Sequence, residues 1–261
     1  MPQGGLARRA TLIQQVREEI EGPVLVLDAG NSLMGQTLAM QSEGRVLVEA
    51  MNLMGYDALA VGTMELAKGV DVLLERAAEA EFPILSANLV WSETGEPVVE
   101  PYVVWEGQGL RVAIIGVTYA EALRGLERLS PGVELLGPVE RVAHHVAELR
   151  PQADIVIVLS HLGIHEDKAL AQAVEGIDII IGGRSRQLMR APEIVKTSTT
   201  STAIIQVGYD GEWLGRMDVS GYIHALDTPS HQILFMRPDV PDEPEISSLI
   251  DAYRERYSVG D

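Results

Sequence analysis

Two arginines one residue apart close the stretch Ile177-Asp178-Ile179-Ile180-Ile181-Gly182-Gly183-Arg184-Ser185-Arg186. Guanidinium groups are permanent cations, and a pair of them holds phosphate or sulfate through charge-assisted, bidentate hydrogen bonds. In an extended loop alternate residues face one side, which aims Arg184 and Arg186 at one anion. The competing reading pairs them with acidic neighbours such as Asp28 or Glu65. Three other stretches offer polar groups in the same setting: Asp28-Ala29-Gly30-Asn31-Ser32, Gly62-Thr63-Met64-Glu65 and Ser160-His161-Leu162-Gly163. Asp28 reads as a holder of loop geometry through backbone hydrogen bonds. His161 is either a pocket group or a structural histidine bonded to a neighbouring loop.

Each of these loops follows a short buried apolar run. Residues 24–27, 58–61, 155–159 and 177–181 are too short to span a membrane and rich in β-branched side chains, so they read as buried strands. Loops at strand ends are where α/β folds gather ligands. Helical spacing marks 6–20, 44–54, 70–80, 138–149, 168–174 and 245–257. Residues 102–105 and 110–117 read as a hairpin, and 203–207, 213–219 and 232–236 as consecutive antiparallel strands. Pro238-Asp-Val-Pro-Asp-Glu-Pro244 is an acidic linker, which divides the chain into a domain over 1–236 and a linker with a terminal helix over 237–261. His144 and His145 are adjacent on a helix rather than four apart, which argues against a shared metal. His165 and Asp167 read as a solvated turn.

The 261 residues carry a formal charge of −18 and no cysteine. Such a surface repels phosphate backbones and anionic lipid, so neither nucleic acid nor membrane is an expected partner. The absence of cysteine excludes disulfides, thiolate nucleophiles and Cys-based zinc sites. Residues from Met1 to Arg9 lack the apolar core of a signal peptide, so the expected location is cytoplasmic.

In order along the chain, Leu27-Asp-Ala-Gly30, Val48-Glu-Ala-Met-Asn-Leu-Met-Gly-Tyr-Asp57, Phe82-Pro-Ile-Leu-Ser-Ala-Asn88, Ala153-Asp-Ile-Val-Ile-Val-Leu-Ser-His-Leu-Gly163, Gly176-Ile-Asp-Ile-Ile-Ile-Gly-Gly183 and Val207-Gly-Tyr-Asp-Gly-Glu-Trp-Leu-Gly-Arg216 form a set of words. Together they resemble the calcineurin-like metallophosphoesterases, and most closely the catalytic, N-terminal domain of the 5′-nucleotidase family. The resemblance implies an α/β fold, a four-layer αββα sandwich with two mixed β-sheets. It also implies hydrolysis at two divalent metals held by Asp, His and Asn. The family's metal-bridging aspartate falls on Asn31, its Gly-Asn-His-Glu loop on Gly62-Thr63-Met64-Glu65, and the aspartate that orients the histidine on Ala67. The Gly-His-Ser-His loop falls on Gly183-Arg184-Ser185-Arg186. Only His161 remains of the expected ligand set. The family's opening Asp-x-His strand and its C-terminal nucleotide-recognition domain are expected to be missing.

The expectation is therefore a catalytically degenerate member, a pseudoenzyme with no catalytic residue and no metal cofactor. Arg184, Arg186, Asn31 and His161 are its candidate anion-binding residues, with phosphate or sulfate as ligand. Two alternatives stand beside it. One is a metal-dependent phosphoester (nucleotide) hydrolase with an atypical site. The other is a structural subunit completed at an open sheet edge by self-association or a partner chain.

Overall fold

The computed structural model describes residues 4–219 and 230–258; Met1–Gln3, on which part of the signal-peptide reading rests, lie outside it. Helices α1 (Leu6–Glu19), α2 (Thr37–Gln41), α3 (Arg45–Met54), α4 (Val70–Glu79), α5 (Pro138–Leu149), α6 (Ile164–Ala173) and α7 (Pro244–Tyr257) surround thirteen strands among the described residues. Strands β1 (Leu27–Asp28), β2 (Ala58–Ala60) and β3 (Ile84–Leu85) form a parallel sheet in that order. The larger, mixed sheet has the order β10 (Glu193–Lys196), β11 (Ser201–Ile205), β9 (Ile179–Gly182), β8 (Ile155–His161), β6 (Leu110–Thr118) and β5 (Tyr102–Gly107). Two ribbons complete the set: β4 (Leu89–Trp91) with β7 (Val133–Leu135), and β12 (Trp213–Asp218) with β13 (Ser230–Phe235).

The alternation of apolar side chains along the strands generates the layers. In β6, Val112 and Ile114 turn inward with Ile155, Ile157 and Leu159 of β8 and Ile179 of β9, meeting Ala58, Ala60 and Leu85 of the small sheet. Their neighbours Ala113, Ile115, Val156, Val158 and Ile180 turn outward onto Val142, Val146 and Leu149 of α5 and Leu170 of α6. On the other side Leu59 and Ile84 pack against Ile13 of α1, Val48 and Met51 of α3 and Leu73 of α4. The architecture is thus the αββα sandwich. A buried branched side chain contributes roughly 1.5–3 kcal/mol, against about 0–1 for an exposed ion pair. The seven branched side chains between the sheets, not the surface ion pairs, therefore set how the sheets face each other.

Most elements lie where the apolar periodicity places them. The β5–β6 hairpin closes through Gln108-Gly109, both at positive φ, as a two-residue type I′ turn demands. One expected arrangement is corrected: β11 does not precede β12 in a meander. It pairs in parallel with β9 and antiparallel with β10, while β12 pairs with β13. Helix α7 lies against the layer of α1 and α3, burying Ile246 and Tyr253, and the Tyr253 hydroxyl donates to Glu49. Among the described residues no helix is long and apolar enough to cross a membrane.

Candidate functional site

The C-terminal ends of β1, β2, β8 and β9 converge across the two sheets. After β1, the Asp28 carboxylate accepts from Gly30 N (2.9 Å) and from the Ser32 hydroxyl (2.7 Å). Gly30 sits at φ 89, and a Cβ there would meet Ala60 O at 2.8 Å and Gly62 N at 2.9 Å, so only glycine lets the first two loops touch. Asn31 adopts the left-handed conformation (φ 67), which an asparagine tolerates, and its side-chain oxygen accepts from Met64 N (2.8 Å).

Glu65 fastens the two loops together. Its buried carboxylate accepts from Ser32 N and Leu33 N through Oε1, and from Asn31 N and Gly62 N through Oε2, all at 2.8–3.0 Å. Both oxygens are committed, so Glu65 is not a partner for an arginine.

His161, at the end of β8, joins the sheets. Its Nδ1 lies 2.8 Å from Ala29 O, and because a carbonyl only accepts, Nδ1 carries the proton. In the neutral ring this leaves Nε2 a lone pair, buried and without a partner. Gly183 packs over the same ring: a Cβ there would lie 2.9 Å from both Ala29 O and His161 Nδ1.

The Arg-Ser-Arg tip differs from the extended loop expected. Arg184 (φ 65) and Arg186 (φ 55) both occupy the left-handed region, so the chain coils and the two side chains reach different aromatic rings. The Arg184 guanidinium stacks 3.5 Å from the Tyr119 ring centre and donates to Leu162 O (3.0 Å). The Arg186 guanidinium lies 5.6 Å from the Tyr209 ring centre. Between them the Ser185 hydroxyl accepts from Ile164 N (2.7 Å), holding the tip to the start of α6. Neither arginine forms an ion pair among the described residues.

A cavity of about 640 Å³ opens at these loops, lined by Arg184, Arg186, Asn31, Met64 and His161. Thr63 is half-buried beside it and does not line it. The same wall holds Arg9, which a helical pattern in sequence presents only as a polar position. Arg9 donates to the Tyr56 hydroxyl (3.2 Å) and faces Asp28. Burial pushes the Asp28 carboxyl up, while Arg9 and the Ser32 hydroxyl pull it back. Three guanidiniums thus line the cavity against two carboxylates, Asp28 and the exposed Asp210.

Behind the site, Asp167 is fully buried rather than part of a solvated turn. It accepts from the Ser160 hydroxyl and from Gln206 Nε2 (3.1 Å), and burial raises its pKa to about 7. His165 remains exposed.

No family model matches the chain. It is 31% identical over 261 residues to the 5′-nucleotidase of Vibrio cholerae serotype O1, an alignment covering 88% of this chain and 47% of that protein. The 5′-nucleotidase precursor of Thermus thermophilus superposes with a TM-score of 0.88 at 28% identity, covering 98% of this chain and 54% of that one. Its homologues are 5′-nucleotidases, and its structural neighbours are the N-terminal domains of such proteins. At 22% identity the calcineurin-like phosphoesterase YfkN of Bacillus subtilis shares the fold, with a TM-score of 0.84 over 98% of this chain and 90% of that one. The chain spans about half the length of the 5′-nucleotidase of V. cholerae.

The 5′-nucleotidase-type fold implies two divalent metals, and the residues at its four loops can be tested for that chemistry. A dinuclear centre needs several anionic or imidazole donors with free lone pairs. Here Asp28, Asn31 and Glu65 have oxygens engaged by loop donors, and His161 Nε2 is the one orphaned nitrogen among the described residues of these loops. Arg9, Arg184 and Arg186 add positive charge to the same cavity. This donor set does not fit a dinuclear metal centre.

Proposed function

We propose that this cavity binds a small anion, phosphate or sulfate, on a metallophosphoesterase scaffold that does not carry out the family's metal-dependent hydrolysis. The observation that carries the reading is the excess of guanidinium over carboxylate in one cavity of a chain with a net charge of −18. Arg184 and Arg186 keep N–H donors beyond those spent on Leu162 O and the aromatic rings, and Asn31 keeps its side-chain N–H₂. The relatives are named 5′-nucleotidases, which makes a phosphate-bearing ligand the fitting class.

A screen of nucleotides and cyclic nucleotides with added Mn²⁺, Zn²⁺ or Mg²⁺ tests the absence of hydrolysis. The expected outcome is no rate above the metal-only control. A metal-dependent rate that disappears in His161→Ala would overturn the reading in favour of an atypical phosphoester hydrolase.

A second reading, a subunit completed by another chain, draws on a separate cavity of about 540 Å³. Among the described residues strand β1 ends the small sheet and β12 ends its ribbon, and both line this slot. Ile155, Ile157 and Ile179 form its floor, with Ile13, Val16 and Ile20 of the α1 segment also on its wall. An apolar slot between two strand edges suits an extended strand. Molecular mass measured across a hundredfold range of concentration should then rise above that of one chain; a monomer throughout counts against it.

A further inference from the structure

Helix α5 carries a group of side chains that none of the sheet-end loops uses. The potential ligand atoms of His144, His145 and Glu148 all lie within 4.8 Å of one another. Adjacency of two histidines by itself argues against a shared site, because neighbours on a helix diverge. Here the packing brings them together: the His145 ring sits 5.3 Å from the Tyr102 ring of β5 and 5.1 Å from the His144 ring.

His145 is 6% exposed, and neither of its ring nitrogens has a hydrogen-bond partner. A buried polar atom without a hydrogen bond is destabilising, so this ring is left unexplained unless something binds it. Glu148 Oε2 lies 3.7 Å from His145 Nδ1, too far for a hydrogen bond. Two ligands of one tetrahedral ion with bonds of about 2.0–2.1 Å lie roughly 3.3–3.5 Å apart, so a small rotation brings this pair to ligand spacing. The Tyr102 hydroxyl donates to the other Glu148 oxygen (3.4 Å), orienting the carboxylate. Arg141 turns its Nε–H to Ala87 O (2.9 Å).

We propose that His144, His145 and Glu148 form a site for one divalent transition-metal ion, Zn²⁺ or Co²⁺ rather than Mg²⁺ or Ca²⁺. Two imidazoles and one carboxylate are borderline donors that discriminate against hard cations. None of the three residues lines the arginine cavity, so the site is independent of the anion reading. An ion here would clasp α5 to the edge strand β5 through Glu148 and Tyr102.

The test is titration of the full chain with Zn²⁺ by calorimetry, and with Co²⁺ by visible absorption. One Zn²⁺ per chain is expected, with affinity at least tenfold weaker in His144→Ala and in Glu148→Gln. Both positions are exposed, so neither variant threatens folding. The Co²⁺ band should disappear in the same two variants, while substitution of the exposed histidine outside both sites, His165→Ala, should leave both signals unchanged. No stoichiometric binding, binding that survives both α5 variants, or binding lost in His165→Ala would each overturn the proposal.

Discussion

Asp167 shows how much a single buried group governs here. Its carboxyl is fully buried, accepts from Ser160 and Gln206, and titrates near pH 7. A folded-state value above the ordinary aspartate value of 3.8 means the native chain binds more protons than the unfolded chain between those limits. Stability from this group is full below about pH 4 and declines as pH rises through 7, by up to about 4 kcal/mol. Asp167→Asn should therefore flatten the pH dependence of the melting temperature and exceed the parent above about pH 8; equal slopes in both proteins would contradict this. The arginine tip is the reverse case: on the anion-binding proposal, a backbone conformation that costs stability is kept for its side chains. A non-glycine residue in the left-handed region costs about 1 kcal/mol. Arg186→Gly should hold or raise the melting temperature by a few degrees while weakening phosphate binding tenfold or more. A matched loss of both would make Arg186 a structural residue.

At the scale of elements, the site depends on loops that Glu65 binds into one body. Whichever oxygen Glu65→Gln converts to N–H₂, two backbone N–H groups, one buried and one part-buried, lose their acceptor. At about 1–3 kcal/mol each, and about 2–4 °C per kcal/mol at this size, differential scanning calorimetry should show a fall of roughly 4–24 °C. An unchanged melting temperature would remove Glu65 from this role. The helices with clear apolar stripes, and the strands ending at Asp28, His161 and Gly182, are legible in the sequence because burial on one face writes a period into the chain. Helix α2 is not, since five residues carry no stripe, nor is short, half-buried β10. The pairing of β11 is hidden for the same reason: periodicity reports that a strand is buried, not which strand it pairs with. Asp167 looks solvated in sequence, but α6 begins at Ile164, which turns this charged residue inward. Arg9 gives no local signal because its partners lie 19 and 47 positions away, at Asp28 and Tyr56. His161, Asn31, Arg184 and Arg186 do line one cavity, yet residue type alone reveals neither the coiled tip nor the engaged Asn31 oxygen.

For the whole molecule, two sheets locked by apolar side chains hold four loops at fixed separation, and the loops set the character of the cavity. Its three arginines stand out against a chain of net charge −18, whose long-range field repels anions, so on the proposed reading an anion would be held here only through local contacts. The most direct test is calorimetric titration of inorganic phosphate into the intact chain, with and without EDTA and again with added Mn²⁺. The account predicts saturable binding that chelator and metal leave unchanged and that the double substitution Arg184→Ala, Arg186→Ala weakens at least tenfold. Binding that requires Mn²⁺, or that survives the loss of both arginines, would contradict it.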